Sequence, residues 1–242
     1  MQSTIASCPR RCACLCLTLL AGTALTAPAL AQQAVPGISI KWWHGAVAAG
    51  GVSALLLLDS PVRGLSQESR GTAGDGVASV VRRMGQPEVY ATLTLGLLGA
   101  GLVSGDSRIT RAGARAAGSL ALTGAAVYTG KYLMGRGRPD DLLRDEPAMP
   151  SGHTAMAFAL ATSLADDIDR PWATAGLYTL AGAVGWSRIN DNRHWFSDVA
   201  AGAVLGIASA KFASGQWTIF GVRAPSITAG PRGVGVGWQA EF

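Results

Sequence analysis

Cysteine is missing from most of this chain, and histidine is scarce. All four cysteines lie near the N-terminus, at Cys8, Cys12, Cys14 and Cys16. A mature chain without that region would therefore have no disulfide and no thiolate metal site. Charged residues make up only 14% of the 242 residues, and no basic run contains interleaved aromatic residues. A nucleic-acid partner is therefore not expected.

The N-terminus has the pattern of a secretory signal peptide over residues 1–31. Arg10 and Arg11 form a basic start, residues 12–25 an apolar stretch, and residues 29–31 (Ala-Leu-Ala) a small-residue cleavage site. Thr23 stands where a lipoprotein would need a cysteine, so lipidation is not expected. Cleavage would remove two arginines and no acidic residue, and lower the formal net charge from +5 to +3. We expect export to the periplasm, with an uncleaved membrane anchor as the alternative.

Six apolar segments predict helices and define an all-α protein. They are rich in alanine and leucine, and they are too long for ordinary strands. We expect a helical bundle of about six core helices, with a further short amphipathic helix at residues 77–84. The six segments are residues 42–58, 89–105, 112–130, 154–165, 173–186 and 199–213.

The length of these segments leaves their relation to a membrane open. A membrane-spanning helix needs about 20 predominantly apolar residues, and most of the six segments are shorter. A buried bundle core accounts for them about as well. We therefore expect a domain at the membrane periphery, with an integral membrane domain as the alternative.

The C-terminal residues change from helical to strand periodicity. Apolar residues occupy alternate positions in residues 233–242, which is typical of a half-exposed strand. We expect a β-hairpin-like tail in which residues 217–224 pair with this strand and residues 230–233 contain the turn. An outer-membrane association signal is the alternative, because barrel proteins also end on an aromatic residue. The predicted organisation is a signal peptide (1–31), a helical domain (32–214) and a β-rich tail (215–242).

Three short clusters in the middle of the chain carry most of the functional information. The last contains His194 and Asp198, four residues apart, which would share one face of a helix. A carboxylate in that position fixes the imidazole tautomer and leaves the other ring nitrogen as a nucleophile or base. Arg188 lies just upstream, on the approach to that helix.

The second cluster, Pro-Ser-Gly-His at residues 150–153, predicts a helix start. Ser151 is a suitable N-cap, and the free amides of the first turn would point towards an anion. Gly152 allows close approach of the backbone. His153 would sit at the same helix start, where it could donate a proton.

The first cluster places two cations around a break in a helix. Lys131 and Arg138 are seven residues apart, and Gly135, Gly137 and Pro139 disfavour a continuous helix between and beyond them. We therefore expect Lys131 at a helix end and Arg138 on the following loop. From there, a planar arginine fork and a lysine point charge can bind one anion from different sides.

Together the clusters read Lys-x6-Arg-Pro, Pro-Ser-Gly-His and Ser-Arg-x5-His-x3-Asp. This pattern resembles the signature of the type 2 phosphatidic acid phosphatase superfamily, which also includes vanadium haloperoxidases, and every fixed position is matched. The resemblance implies that His194 attacks phosphorus, that Asp198 orients it, and that His153 protonates the leaving oxygen. It also implies a phosphate-binding set, namely Lys131, Arg138, Ser151, Gly152 and Arg188.

The expected function is a phosphatase acting on a phosphate or diphosphate ester, with a lipid-linked substrate such as undecaprenyl diphosphate, phosphatidic acid or phosphatidylglycerol phosphate. Three fixed cations can take the role of a metal, so neither a metal nor another cofactor is expected, and vanadate should bind as an inhibitor. The alternatives are a soluble periplasmic acid phosphatase, a vanadate-dependent haloperoxidase and a non-enzymatic envelope scaffold. The sequence does not predict the oligomeric state.

Other polar and aromatic residues near the clusters are expected to have structural roles. His44 and Trp195 are predicted to be packing residues, as is Phe196. Arg193 is a candidate for an extra phosphate contact. A solvated loop that could tune substrate choice is expected to contain Arg136, Asp140, Asp141, Arg144 and Asp145.

Overall fold

The computed structural model describes residues 37–140 and 146–224, together with the backbone of residues 226–230 and 233–237. The predicted signal peptide and three of the loop residues, Asp141, Arg144 and Asp145, lie outside this range. The described residues form eight α-helices and a short 3-10 turn, Leu56–Leu58. The helices are α1 (Trp42–Leu55), α2 (Asp59–Glu68), α3 (Thr72–Met84), α4 (Pro87–Ser104), α5 (Ser107–Met134), α6 (Gly152–Ile168), α7 (Pro171–Asn190) and α8 (Phe196–Ala213).

The all-α class and the helical bundle are confirmed. Each of the six apolar segments corresponds to one helix, although the first continues into the 3-10 turn and the second ends one residue after α4. The expected amphipathic helix at residues 77–84 is the second half of α3. Helix α2 was not predicted, because its sequence contains Pro61 and Gly64 among polar residues. Pro61 is the third residue of α2, where a missing backbone N–H costs little because the first turn has no intrahelical acceptor for it.

Helix α6 is the centre of the bundle and packs against α5, α7 and α8. Its contact with α8 is unusually close because two glycines of α8 face the α6 backbone. A Cβ atom at Gly206 would lie 2.2 Å from the carbonyl oxygen of Ala155, and one at Gly202 would lie 2.6 Å from that of Ser151. The small residues of α8 therefore let the start of α8 lie directly beside the start of α6.

Two pairs of short strands complete the described structure. Strands β1 (Ile38–Ile40) and β2 (Trp217–Ile219) are parallel, and β3 (Ser226–Gly230) pairs with β4 (Gly233–Gly237) in an antiparallel hairpin. The predicted turn at residues 230–233 is confirmed by the pairing of Gly230 with Gly233. The predicted pairing of residues 217–224 with the last strand is wrong. Helix α1 packs against α8, which brings the chain before α1 beside the chain after α8.

A large apolar surface remains exposed on the outer helices. Leu57 is 81% exposed and Val103 is 92% exposed, and α1 buries none of its residues. Two helical stretches are long and apolar enough to cross a membrane by length and composition, Trp42–Glu68 and Phe196–Ala213. Only 6% of the most apolar window in the first is buried, against 33% in the second. The first is therefore the stronger candidate, since α8 also serves as a core helix.

Candidate active site

The three sequence clusters meet at one end of the bundle. Lys131 lies in the last turn of α5 and Arg188 in the last turn of α7, while His153 lies in the first turn of α6. Asp198 is the third residue of α8. Helix α5 ends where expected, because Gly135 adopts a left-handed conformation (φ 55°) and caps it. Arg138 follows on the loop, as predicted.

His194 and Asp198 form the buried centre of this site. The His194 side chain is 4% exposed and the Asp198 side chain is fully buried, and His194 Nδ1 lies 3.7 Å from Asp198 Oδ2. The prediction that the two residues share one face of a helix is wrong, because His194 lies in the loop before α8. Asp198 instead caps its own helix, since Oδ2 accepts the backbone N–H of Trp195 at 2.9 Å.

The environment of His194 favours a neutral imidazole. Burial lowers its pKa, and the neighbouring Asp198 carboxylate opposes that shift. The distance of 3.7 Å exceeds a hydrogen bond, and Nδ1 has no hydrogen-bond partner among the described residues. The contact with Asp198 is therefore an electrostatic one. A neutral ring with Nδ1 directed at a carboxylate leaves Nε2 as the nucleophilic atom.

His153 is the second histidine of the site. Its pKa is lowered to about 4, mainly by burial and then by the electrostatic effect of the neighbouring Arg188, His194, Arg138 and Lys131. These side chains therefore lie close enough to His153 to affect its protonation. At this pKa His153 is neutral at physiological pH. An anion bound beside His153 would add negative charge and raise its pKa.

The three cations are held by different kinds of partner. Lys131 Nζ donates to the carbonyl oxygen of Pro147, and Arg138 forms an ion pair of 2.7 Å with the exposed carboxylate of Glu146. Burial lowers the pKa of Lys131 and also that of Arg188. Because Glu146 is exposed, a phosphate could replace it on Arg138 without leaving a buried charge unpaired.

Arg188 has unused hydrogen-bonding capacity in the buried part of the site. Its side chain is 7% exposed, and it donates from Nη1 to Asp191 at 3.1 Å. Its Nε is buried and has no partner among the described residues. A buried guanidinium donor without an acceptor is costly, and an anion in the site would satisfy it.

Ser151 and Gly152 occupy the expected start of α6. Ser151 is the N-cap residue and is fully buried, but its hydroxyl pairs with the Thr154 hydroxyl at 2.9 Å instead of capping the helix. A Cβ atom at Gly152 would lie 3.4 Å from Val127. The amides of the first turn therefore remain available to an anion.

Arg136 is the main functional residue that sequence reasoning misplaced. We expected it on a solvated loop, but its guanidinium donates to Asp198 Oδ1 at 2.9 Å and to Asp59 Oδ2 at 2.6 Å. Asp59, at the start of α2, was not among the predicted residues, and it is buried. No local sequence signal joins these residues, because Asp59 and Arg136 are 77 positions apart.

Helices α2 and α3 also hold the loop that carries His194. Arg63 donates to the Asn192 side chain at 2.8 Å, and Arg82 forms an ion pair of 3.0 Å with Asp191. Gln67 donates to backbone carbonyl oxygens at the end of α7. These contacts fix the loop between Arg188 and His194 from outside, so the first part of the described chain contributes to the site.

His44 and Trp195, two of the three predicted packing residues, make contacts within the protein. His44 Nδ1 accepts the backbone N–H of Lys41 at 3.0 Å, and its ring stacks on Trp43. Trp195 is partly buried, and its indole N–H donates to the Gly137 carbonyl at 3.1 Å. The extra phosphate contact suggested for Arg193 stays a prediction. Within the described ranges, no group of three or more His, Cys, Asp or Glu side chains is placed to bind a metal.

Comparisons with known proteins place the site in a family context. Residues 112–219 match the family model described as the PAP2 superfamily. A 90-residue segment, 36% of this chain, is 49% identical to the lipid A 1-phosphatase of Porphyromonas gingivalis. That segment spans one fifth (20%) of the length of this relative.

Two solved structures have similar folds. The crystal structure of Aquifex aeolicus LpxE is similar with a TM-score of 0.56 and 24% identity, over 64% of this chain and 94% of that one. A transmembrane PAP2 type phosphatidylglycerolphosphate phosphatase from Bacillus subtilis has a TM-score of 0.60 and 20% identity, over 72% and 92% of the two chains. At these identities the likeness supports the fold of the bundle.

Proposed function

We propose that this protein is a phosphatase that releases phosphate from a phosphorylated lipid through a phosphohistidine on His194. The match of residues 112–219 to the PAP2 superfamily model supports this proposal. The observation that carries the proposal is the buried pair of His194 and Asp198 at 3.7 Å, surrounded by cations whose charges all act on His153. This is the arrangement that phosphoryl transfer requires, since the reaction depends on positioning and charge stabilisation.

The proposed reaction has two steps. His194 Nε2 attacks phosphorus, a P–N bond forms, the ester P–O bond breaks, and His153 gives its proton to the leaving oxygen. Water then attacks phosphorus, the P–N bond breaks, and His153 takes the proton from the water. Binding of the phosphoryl group raises the pKa of His153, so the substrate itself prepares the general acid.

The phosphate oxygens would be held by the cations and by the start of α6. Arg188 offers its buried Nε, Arg138 can exchange Glu146 for the substrate, and Lys131 supplies a point charge. The backbone N–H of Gly152, in the first turn of α6, adds an amide donor. Because these groups supply the charge stabilisation, EDTA is expected to leave activity unchanged. Activity that EDTA abolishes and Mg²⁺ restores would contradict this part of the proposal.

A lipid substrate is supported by sequence and by surface. A segment of this chain is 49% identical to part of a lipid A 1-phosphatase. The phosphate of lipid A is therefore the first candidate among the lipids, although the identity covers only part of the chain. The exposed apolar side chains of α1 and α4 lie on helices that fit a membrane environment. We further propose that the protein is exported by residues 1–31 and works at the membrane of the cell envelope.

Phosphate release by the purified protein in EDTA is the direct test. The substrates are lipid A 1-phosphate, phosphatidic acid, phosphatidylglycerol phosphate, undecaprenyl diphosphate and p-nitrophenyl phosphate, and His194→Ala is the matched variant. We expect turnover of a lipid substrate and its loss in the variant. Brief reaction with 32P-labelled substrate should leave a base-stable, acid-labile label on the wild-type protein only.

Each other outcome has a defined meaning. Faster turnover of p-nitrophenyl phosphate than of any lipid would favour the soluble acid phosphatase. A folded protein without activity on any of the five substrates would overturn the proposed function. For the location, carbonate extraction of membranes distinguishes the two states. Persistence in the pellet would contradict the peripheral domain expected from the sequence, and release into the supernatant would contradict the integral alternative.

A further inference from the structure

Arg136 joins two buried carboxylates that come from distant parts of the chain. Its Nη1 donates to Asp198 Oδ1 at 2.9 Å, and its Nη2 donates to Asp59 Oδ2 at 2.6 Å. The Asp198 side chain is fully buried, Asp59 is 5% exposed and Arg136 is 25% exposed. The planar fork of the guanidinium suits this geometry, because it directs separate N–H donors at two acceptors.

Asp59 also holds the residue next to Asp198. Its Oδ1 accepts the backbone N–H of Ser197 at 2.8 Å, and its Oδ2 accepts the Ser197 hydroxyl at 2.7 Å. The same hydroxyl receives a hydrogen bond of 2.6 Å from Arg136. Asp59, Arg136 and Ser197 thus form a closed set of contacts around the start of α8.

The loop that carries Arg136 is fixed as well. The Arg136 guanidinium lies 5.3 Å from the centre of the Trp195 ring, a cation–π distance. The indole of Trp195 donates to the carbonyl of Gly137, the residue after Arg136. Trp195 therefore contacts both the guanidinium of Arg136 and the backbone next to it. These contacts restrict the motion of Arg136 and keep it beside Asp198.

The two oxygens of Asp198 have different partners as a result. Oδ1 faces Arg136, while Oδ2 faces His194 Nδ1 and the Trp195 amide. Two carboxylates and one guanidinium leave one formal negative charge in this buried group. The positive charge on the ring of a phosphohistidine would balance that negative charge. Without Arg136 beside it, Asp198 would raise the pKa of His194 more strongly and favour the protonated ring before the reaction.

We propose that Arg136 is a positioning residue for the reaction, and that Asp59 is its anchor. Arg136 holds Asp198 so that Oδ2 points at His194, and it offsets part of the charge of Asp198 so that His194 stays neutral and nucleophilic. This inference rests on the proposed function. It adds to it a segment of the chain, α2, that precedes the family match at residues 112–219.

Two variants should shift the protonation of His194 in opposite directions. Arg136→Gln removes the positive charge from Asp198, so the pKa of His194 should rise and the acid limb of the kcat/KM profile should move up by about one pH unit. Asp59→Asn removes one of the two carboxylate charges that Arg136 offsets, so the pKa of His194 should fall and the acid limb should move to lower pH. Neither residue is placed to touch the phosphoryl group, so kcat should fall roughly 10- to 100-fold while KM changes little.

The charged groups around His194 stay in place in both variants. They come from four different elements, namely Asp198 on α8, Arg188 on α7, His153 on α6 and Arg138 on the loop after α5. Arg136→Lys keeps the charge but loses the fork. Compared with Arg136→Gln, it should therefore bring the acid limb of the profile most of the way back to the wild-type position but recover little of kcat. Arg111→Gln, an exposed arginine in the first turns of α5, is the matched control and should behave as wild type.

Direct titration of His194 separates this inference from the proposed function. The chain has only three histidines, so the ring of His194 can be assigned by 15N NMR from the variant that lacks it. Opposite shifts of its pKa in Arg136→Gln and Asp59→Asn would support the inference even if no lipid substrate were turned over. Unchanged titration and unchanged kcat in both folded variants would overturn it, whatever the substrate. If Arg136→Gln did not fold, Asp59→Asn and Arg136→Lys would still decide between these outcomes.

Discussion

The backbone N–H of Ser151 donates to the carbonyl oxygen of Asp198 at 3.0 Å. This single bond joins the start of α6, which carries His153, to the first turn of α8, which carries the carboxylate beside His194. The proposed nucleophile and the proposed proton donor are therefore linked through these two helix starts. Substitutions that disturb either helix start are expected to affect both roles.

Removing the charge of Asp198 should abolish most activity without loss of the fold. In Asp198→Asn the amide cannot fix the same tautomer of His194 or stabilise the positive charge that develops on its ring. We expect kcat to fall by about 10³- to 10⁴-fold. The check is steady-state kinetics together with circular dichroism. Asp169→Asn, at the exposed left-handed cap of α6, is the control and should keep wild-type kcat, because asparagine tolerates that conformation.

Vanadate should inhibit the enzyme, and the shape of Arg188 should determine how strongly. Its buried Nε has no acceptor within the part of the chain that the structure describes, and lysine cannot reproduce an arginine fork. Arg188→Lys should weaken competitive inhibition by vanadate by roughly 10- to 100-fold, the value of one charge-assisted hydrogen bond.

The inhibition constant with a fixed phosphatase substrate is the measurement. Arg111→Lys, exposed and at the other end of α5, should leave it unchanged. Equal inhibition of the two variants would show that Arg188 does not contact the bound oxyanion. Oxidation of halide by the vanadate-loaded wild-type protein with peroxide would instead favour the haloperoxidase alternative.

Much of this site could be predicted from the sequence because its signals are local. The spacing of Lys131 and Arg138 around two glycines predicts a helix end and a loop, and Ser151 before an apolar run predicts a helix start. Both predictions are confirmed. The helix start after Trp195 also had a signal that was missed, since Asp198 at the third helical position is typical of an N-terminal cap.

The contacts of Arg136 could not be predicted in this way. They depend on Asp59, which the packing of the bundle brings close although it lies far away in the chain. The same reason explains the misassigned strand β2, whose partner β1 lies near the start of the described residues. Periodicity identifies which residues share a face of one element, but it does not say which distant element covers that face.

The stability of the fold should decrease as the pH falls below the ordinary pKa of histidine, because His153 is buried as a neutral side chain. Its pKa is about 4 in the folded protein, against an ordinary value of 6.5. Above pH 6.5 both states are neutral and the full stability is present. Between about pH 6.5 and pH 4 the unfolded chain binds a proton that the folded protein does not, so the free energy of unfolding decreases, by up to about 3 kcal/mol.

Chemical denaturation at several pH values measures this slope. His153→Gln should be less sensitive to pH in that window, while His44→Gln, at the exposed end of α1, should keep the wild-type slope. Added inorganic phosphate should reduce the loss in the wild type, since a bound anion favours the charged imidazole. A slope in His153→Gln as steep as in the wild type would show that the burial of His153 does not cause it.

The close approach of α6 and α8 should make Gly206 intolerant of any side chain. A Cβ atom there would lie 2.2 Å from the carbonyl oxygen of Ala155, which is backbone and cannot rotate away. Gly206→Ala must therefore separate the two helices, and we expect the free energy of unfolding to fall by about 3 kcal/mol, which lowers Tm by roughly 6 to 12 °C.

The matched control is Gly182→Ala on α7, where a Cβ would meet nothing within 4 Å. It should be neutral or slightly stabilising, because alanine favours a helix. Similar melting temperatures for the two variants would contradict the packing. Since the starts of α6 and α8 carry the proton donor and the carboxylate, Gly206→Ala should also lower kcat well below the melting transition.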